Sequence, residues 1–174
     1  TNAPYGIAKK ALLVQCQAYR TQYGFNAIYL LPVNMYGPGD EFDEARSHVI
    51  AAIIKKIYDA KITGGDFIEA WGTGAPTREF IYVEDAAEGI TAATEQYVKG
   101  EPVNLGSGTE ISIKELVRLI ARLMDFKGEI RWDATKPDGQ PRRCLDVSKA
   151  KREFGFRAET PFADGLKKRL SGMN

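Results

Sequence analysis

The stretch Arg78-Glu79-Phe80-Ile81-Tyr82-Val83-Glu84-Asp85 decides the fold. Phe80 to Val83 is a run of apolar and aromatic residues that suits a buried strand. It passes without a break into a helical pattern from Glu84 to about Tyr97. Working outward toward the C-terminus, Val103-Asn104-Leu105 reads as another strand, closed by Gly106-Ser107-Gly108. Ser112 then opens a helix with Glu115 three residues on, a capping-box arrangement. Leu116, Leu119, Ile120, Leu123 and Met124 give that helix its apolar face. Ile130 to Trp132 reads as one more strand, followed by a polar loop from Thr135 to Arg143 and helical patterns near Ser148–Phe154 and Phe162–Leu170.

Toward the N-terminus the alternation repeats. Phe67 to Trp71 reads as a strand broken by Gly72-Thr73-Gly74-Ala75-Pro76. Before it, a helix from about Ser47 carries Val49, Ile50, Ile53, Ile54 and Ile57. Asn34 to Arg46, with Gly37-Pro38-Gly39-Asp40, reads as a loop. Ala27-Ile28-Tyr29-Leu30-Leu31, ended by Pro32, is expected to be a buried strand. The first pattern is a helix whose stripe is Ala8, Leu12, Leu13, Cys16, Tyr19 and Tyr23, with Gly24 placed to stop it. Strands alternating with helices argue an α/β fold. No repeat, low-complexity segment or linker interrupts it, so one compact unit is expected. A chain of this kind would ordinarily open with a strand, and a helix comes first here. The expectation is the later part of a larger, two-lobed protein.

Composition excludes several classes. The chain has 174 residues, with 44% hydrophobic and 27% charged, the balance of a globular protein. Its 24 Lys+Arg stand against 23 Asp+Glu, which gives no broad electrostatic reason to bind nucleic acid or an anionic membrane. No apolar run approaches the roughly 18–20 residues of a membrane span. Thr1-Asn2-Ala3-Pro4-Tyr5 has neither the basic nor the apolar region of a secretory signal. Cys16 and Cys144 lie far apart without metal-ligand spacing, so no metal site and a reduced, cytoplasmic setting are expected.

Tyr5 and Lys9 sit at i and i+4 and share one helix face. An adjacent ammonium favours the phenolate, so the spacing suits acid–base chemistry as well as it suits a packing tyrosine beside a surface lysine. His48 is the single histidine, at the start of a helix after a Gly/Pro-rich loop, and reads as a cap residue or as a proton carrier. Lys55 and Lys56 follow on the same helix, where a solvated charged face is the alternative. Gly72-x-Gly74 after a strand lets backbone approach a ligand, although it lacks the third glycine of a dinucleotide fingerprint. Arg78 could pair with a phosphate or lie on the surface. Lys136-Pro137-Asp138-Gly139-Gln140-Pro141-Arg142-Arg143 suits a nucleotide diphosphate or a solvated loop. Cys16 is expected in the core and Cys144 in a partly buried position.

The order of these segments carries more than any one of them. Tyr5-Gly6-Ile7-Ala8-Lys9, Leu31-Pro32-Val33-Asn34-Met35-Tyr36-Gly37-Pro38, Trp71-Gly72-Thr73-Gly74, Arg78 to Asp85 and Asn104-Leu105-Gly106 follow one another as they do in extended short-chain dehydrogenase/reductases, the NAD-dependent epimerase/dehydratase family. Ser47-His48-Val49-Ile50 and Lys136-Pro137-Asp138-Gly139-x-Pro141-Arg142 resemble its GDP-L-fucose synthase branch. Those enzymes carry out 3,5-epimerisation and then NADPH-dependent 4-keto reduction of GDP-4-keto-6-deoxy-mannose.

The resemblance implies a remnant of a Rossmann-like NAD(P)-binding sheet over residues 1–46. Residues 47–174 would form mainly a small α/β substrate-binding lobe, with a return strand and helix to the cofactor domain near 79–98. It implies Tyr5, Lys9 and His48 as catalytic residues, and Lys9, Pro32, Val33, Asn34, Met35 and His48 at the cofactor, NADP or NAD. Lys56, Trp71, Arg78 and Asp138 would contact a GDP-linked sugar, and the Tyr5 helix would form a homodimer. Another nucleotide-sugar 4-epimerase or dehydratase, or a non-catalytic binding or dimerisation module, are the alternatives. The family's Gly-rich phosphate loop, the residue that selects NAD or NADP, the Ser/Thr partner of the tyrosine and the epimerase cysteine all precede the tyrosine. None is present in this sequence, so the chain alone is expected to bind a dinucleotide weakly and to lack reductase activity.

Overall fold

A computed structural model of the protein describes residues 3–42 and 48–171. The first helix, α1 (Ala3–Tyr23), ends where the sequence indicated. Gly24, with a left-handed φ of 63°, turns its N–H back to the Arg20 carbonyl at 3.0 Å. Its apolar stripe is a correction: α1 has no buried residue, and Leu13 and Cys16 are only half-buried. Cys16 is therefore not a core residue. The physical reason is that α1 is held at points rather than along a face. Tyr29 Oη donates to the Lys9 carbonyl at 2.7 Å, and Arg20 bonds Asn26 and the carbonyls of Ala27 and Val98.

Two short strands follow, β1 (Leu30–Pro32) and β2 (Asn34–Tyr36), then α2 (Val49–Thr63), β3 (Phe67–Trp71) and β4 (Thr77–Tyr82). Arg46 and Ser47, named above as a loop end and a helix start, lie outside the described residues. Helix α3 (Val83–Gln96) leads to β5 (Val103–Leu105), β6 (Glu110–Ser112), α4 (Ile113–Leu123) and β7 (Glu129–Asp133). The chain closes with β8 (Arg142–Arg143), α5 (Ser148–Phe154) and α6 (Phe162–Ser171). The pairs β1·β5, β2·β4, β3·β7 and β4·β8 are parallel, and β4·β6 is antiparallel. This is the expected α/β class. Pro32 is the last residue of β1, which starts only at Leu30 and, with Leu31 and Pro32 exposed, is not the buried strand expected over Ala27–Leu31. Among the described residues β1 pairs only with β5, and the next N–H, that of Val33, bonds the Leu105 carbonyl at 2.9 Å. β5 pairs with β1, while β4 pairs with β2 and α3 places Ala86 and Ala93 in one core with Val33 and Leu30.

The sequence pattern reads directly into the packing. Ser112 accepts from the Glu115 N–H at 3.1 Å, and the Glu115 carboxylate accepts from the Ser112 N–H at 3.1 Å, so the capping box of α4 is complete. Helix α2 buries Ile50, Ala51, Ile53, Ile54 and Ile57. Each fully buried isoleucine contributes roughly 1.5–3 kcal/mol of apolar transfer. Strand β4 divides the interior by its alternation. Phe80 and Tyr82 join a core built by α2, β3, α4 and Leu166 of α6. Ile81 faces a second core with Val33, Ala86, Val103, Leu105, Ala150 and Phe154. Glu79, fully buried, accepts the N–H of Gly108 at 2.7 Å and of Leu145 at 2.6 Å. Gly106 is what allows this: a Cβ there would stand 2.2 Å from Glu79 Oε1. No described helix is long and apolar enough to cross a membrane.

Candidate functional site

The parallel strands place their carboxyl ends around one divergence. β1 and β2 are separated by the single residue Val33, yet β1 bonds β5 and β2 bonds β4. The carboxyl ends of parallel strands are the usual ligand position in an α/β sheet. Pro32 and Met35 are exposed there, Asn34 is half-buried and Val33 is buried. On α1, Tyr5 is 66% exposed and Lys9 Nζ lies 5.4 Å from its ring centroid. The Tyr29–Lys9 bond pins that turn of α1 at the entry to β1.

A cavity of about 470 Å³ lies between α2, β3 and α4. Val49, Ile53, Ile68 and Val117 supply apolar wall, and Lys56 and Trp71 stand at it. Lys56 Nζ donates to the Glu69 carbonyl at 2.9 Å and lies 5.2 Å from the Trp71 ring. Lys136 Nζ approaches the same indole at 5.7 Å. Trp71 is 62% exposed, so aromatic surface is offered to solvent close to two ammonium groups.

What holds Trp71 in place is the turn after it. Gly72 has φ 78°, and a Cβ there would meet Asp138 Oδ1 at 2.2 Å, so only glycine fits. The Asp138 carboxylate accepts from Thr73 N–H and Thr73 Oγ1, both at 2.7 Å. These bonds hold the Asp138 carboxyl below its ordinary range. Arg78 Nη1 donates to the carbonyls of Thr77 and Gln140, both at 2.7 Å, tying the 133–143 loop to β4. Asp138 and Arg78 thus brace the loop that carries Lys136 to the indole.

His48 caps α2 with no side-chain capping bond, which leaves its exposed imidazole uncommitted to the helix end. Positions 48, 52 and 56 fall on one helical face, so His48 and Lys56 mark its two ends, about 12 Å apart along the axis. The structure therefore brings Lys56 and Trp71 together at the cavity, with His48 at the head of the same helix face, while Asp138 and Arg78 do not line it and instead brace the turn and loop beside Trp71. Tyr5 and Lys9 sit on a different element and do not line this cavity. Thr73 and Lys136 were not singled out individually from sequence. The signal for Thr73 was its place between two glycines after a strand, and Lys136 stood in the cationic loop. Tyr36, another phenol near the divergence, is held neutral. Burial and then Asp85 push its ionisation well up, and its hydroxyl donates to the Phe162 carbonyl at 3.2 Å.

The model of the NAD dependent epimerase/dehydratase family matches residues 1–106. The chain belongs to this family. It is 43% identical over 166 residues to GDP-L-fucose synthase 1 of Arabidopsis thaliana, covering 95% of this chain and 51% of that protein. It is 45% identical over 168 residues to the GDP-L-fucose synthase of Sinorhizobium fredii, covering 97% and 53%. Among solved structures, a GDP-L-fucose synthetase from Naegleria fowleri bound to NADP superposes with a TM-score of 0.90 at 29% identity, covering 98% of this chain and 55% of that one. The chain spans about half the length of the relatives it matches.

Proposed function

We propose that this chain carries the sugar-binding lobe and the Tyr-Lys pair of a GDP-sugar epimerase/reductase that acts with NADPH on GDP-4-keto-6-deoxy-mannose. The observation that carries the reading is the cavity at Lys56 and Trp71, on a helix face headed by His48. The indole offers a flat surface for a base, and Lys56 and Lys136 supply charge for a diphosphate. Relatives 43–45% identical over nearly the whole chain bear the name GDP-L-fucose synthase.

In this reading residues 1–46 end the cofactor lobe and residues 47–174 form mainly the sugar lobe. The sequence holds no Gly-rich phosphate loop, so its residues fit only the nicotinamide end of a dinucleotide. Pro32, Val33, Asn34 and Met35 at the strand divergence would border that end, with Lys9 on the ribose and His48 nearby. NADPH, when bound, supplies the hydride for C4. The ketone at C4 acidifies the hydrogens at C3 and C5. His48 exchanges the protons there, and Tyr5, with the Lys9 ammonium beside it, gives the C4 oxygen its proton. Arg78 keeps N–H groups beyond its two carbonyl bonds for the diphosphate. Asp138 serves the site by fixing Thr73.

The exposed apolar residues of α1, Tyr5, Ile7, Leu12, Val14, Tyr19 and Tyr23, support a homodimer through this helix. Two free thiols, Cys16 and Cys144, fit a cytoplasmic setting.

Titration of the 174-residue chain with GDP, followed by tryptophan fluorescence and calorimetry, tests the reading. GDP is expected to bind wild type, and Trp71→Ala to weaken it about tenfold or more. His48→Ala is expected to leave GDP binding intact. In an enzyme that also carries the cofactor lobe, it should stop solvent proton exchange at C3 and C5 while ketone reduction persists in part. No GDP binding by wild type, or unchanged exchange in His48→Ala, refutes the assignment.

A further inference from the structure

Helix α4 has a second cavity behind it. Ile113 and Val117 line the Trp71 cavity, whereas Glu115, Arg118, Leu119 and Arg122, on the opposite face of the same helix, line a cavity of about 860 Å³. That volume falls in the roughly 300–1,000 Å³ range of small-molecule sites. Half-buried Ile111, Leu119 and Phe162 form apolar wall above the buried rings of Tyr36 and Phe80.

The charges around it are unevenly committed. Asp85 accepts from Thr160 N–H at 3.1 Å and Thr160 Oγ1 at 2.9 Å. Glu110 takes Arg142 Nη2 at 2.8 Å and Thr77 Oγ1 at 2.8 Å. Glu115 is spent on the Ser112 cap. The side chains of Arg118, Arg122 and Glu159 make no hydrogen bond among the described residues, and Arg118 is only near enough to Glu115 to help hold that carboxyl down. Arg118 and Arg122 stand at i and i+4, where like charges repel. The dipole at the end of α4 accounts for a cation at Arg122, and the carboxylate nearest Arg118, that of Glu115 a turn earlier, is already bonded to the Ser112 cap.

Two guanidinium forks on one wall match the oxygens of a phosphate. Glu159 is acceptor-only when ionised, so the ligand must bring hydroxyl or amino donors to it. A phosphate alone would leave most of the volume empty, so the ligand has an organic body. We propose that this cavity is a second ligand site for a phosphate monoester on a polyhydroxylated ring, with Arg118 and Arg122 taking the phosphate and Glu159 accepting from the ring.

Calorimetry on the 174-residue chain with glucose 6-phosphate, GMP and inorganic phosphate tests this. At least one of the two esters is expected to bind about tenfold more tightly than inorganic phosphate. Arg118→Gln/Arg122→Gln is expected to lose about tenfold or more of that affinity, with little change in melting temperature because both arginines are exposed. Glu159→Gln should narrow the gap between ester and inorganic phosphate. In Trp71→Ala the tighter ester should change by less than about twofold, since the other cavity is separate. Glucose 6-phosphate ahead of GMP identifies a sugar phosphate; the reverse order, retained in Trp71→Ala, identifies a nucleoside monophosphate. The proposal is overturned if neither ester exceeds inorganic phosphate, if the double arginine variant binds as wild type does, or if Trp71→Ala abolishes the binding.

Discussion

Helices α1 and α2 carry the same kind of apolar stripe and meet opposite fates. Helix α2 buries five residues, among them Ile54 and Ile57 at 0% exposure, whereas α1 buries none and leaves Tyr5 and Tyr23 at 66% and 71%. Three- and four-residue spacing tells which side of a helix is apolar; it does not tell what covers that side. The contrast also separates two kinds of function. Helix α2 is fixed from below by the core and can hold His48 and Lys56 in register. The catalytic pair assigned to α1 rests on an element anchored by Tyr29 and Arg20, and its exposed side is free to meet another surface.

The sharpest way to break this contrast is a pair of truncations. Ile54→Ala is expected to cost roughly 2–5 kcal/mol in urea unfolding, through lost transfer energy and the cavity left behind. Leu12→Ala on α1, measured at a concentration where the chains are separate, should stay within about 0.5 kcal/mol. An equal loss at both positions would mean that α1 is packed as firmly as α2. Glu79→Ala should follow closely, at about 2–4 kcal/mol, because it orphans the buried N–H groups of Gly108 and Leu145. Glu79→Gln should recover part of this by keeping one acceptor.

Next in size is association. If α1 pairs with a second copy, Leu12→Glu should weaken the dimer about tenfold or more in analytical ultracentrifugation, with little change in the melting of each chain. Smaller again is the cap of α4, where Ser112→Ala should cost about 1 kcal/mol. The cap also carries a pH signature. Hydrogen bonds from Ser112 hold the Glu115 carboxyl below its ordinary 4.5. A folded-state value depressed in this way adds stability that is present above 4.5 and lost as pH falls through the lower, folded value. In Ser112→Ala the acid limb of the stability profile should flatten. An unchanged limb would mean that the cap does not hold the carboxylate.

Legibility tracked the range of the interactions. The capping box and the α2 stripe were readable because their partners lie within a turn or two of one another. β2 and β6 were not, because Asn34-Met35-Tyr36 and Glu110-Ile111-Ser112 lack the apolar pair at alternate positions that marks three-residue β5; each pairs with β4. Tyr5-x-x-x-Lys9 was legible as a pair, and the structure keeps the two side chains adjacent. The bracing of Trp71 was hidden: Thr73 and Asp138 are 65 residues apart, and nothing local announces that both carboxylate oxygens will serve one threonine. Arg78 was read as a phosphate partner or a surface residue, and its bond to the Gln140 carbonyl was hidden for the same reason, since the two lie 62 residues apart.

Strand β4 gives its alternate side chains to two cores, with Phe80 and Tyr82 on one side and Ile81 on the other. Such a shared wall makes the two halves hostages of each other. A loosening that begins beside the Trp71 cavity is transmitted to the strands around Val33 through a single backbone, so heat should melt both together. Selection at this strand must satisfy two neighbours at once, and a substitution that suits only one of them has nowhere to shift.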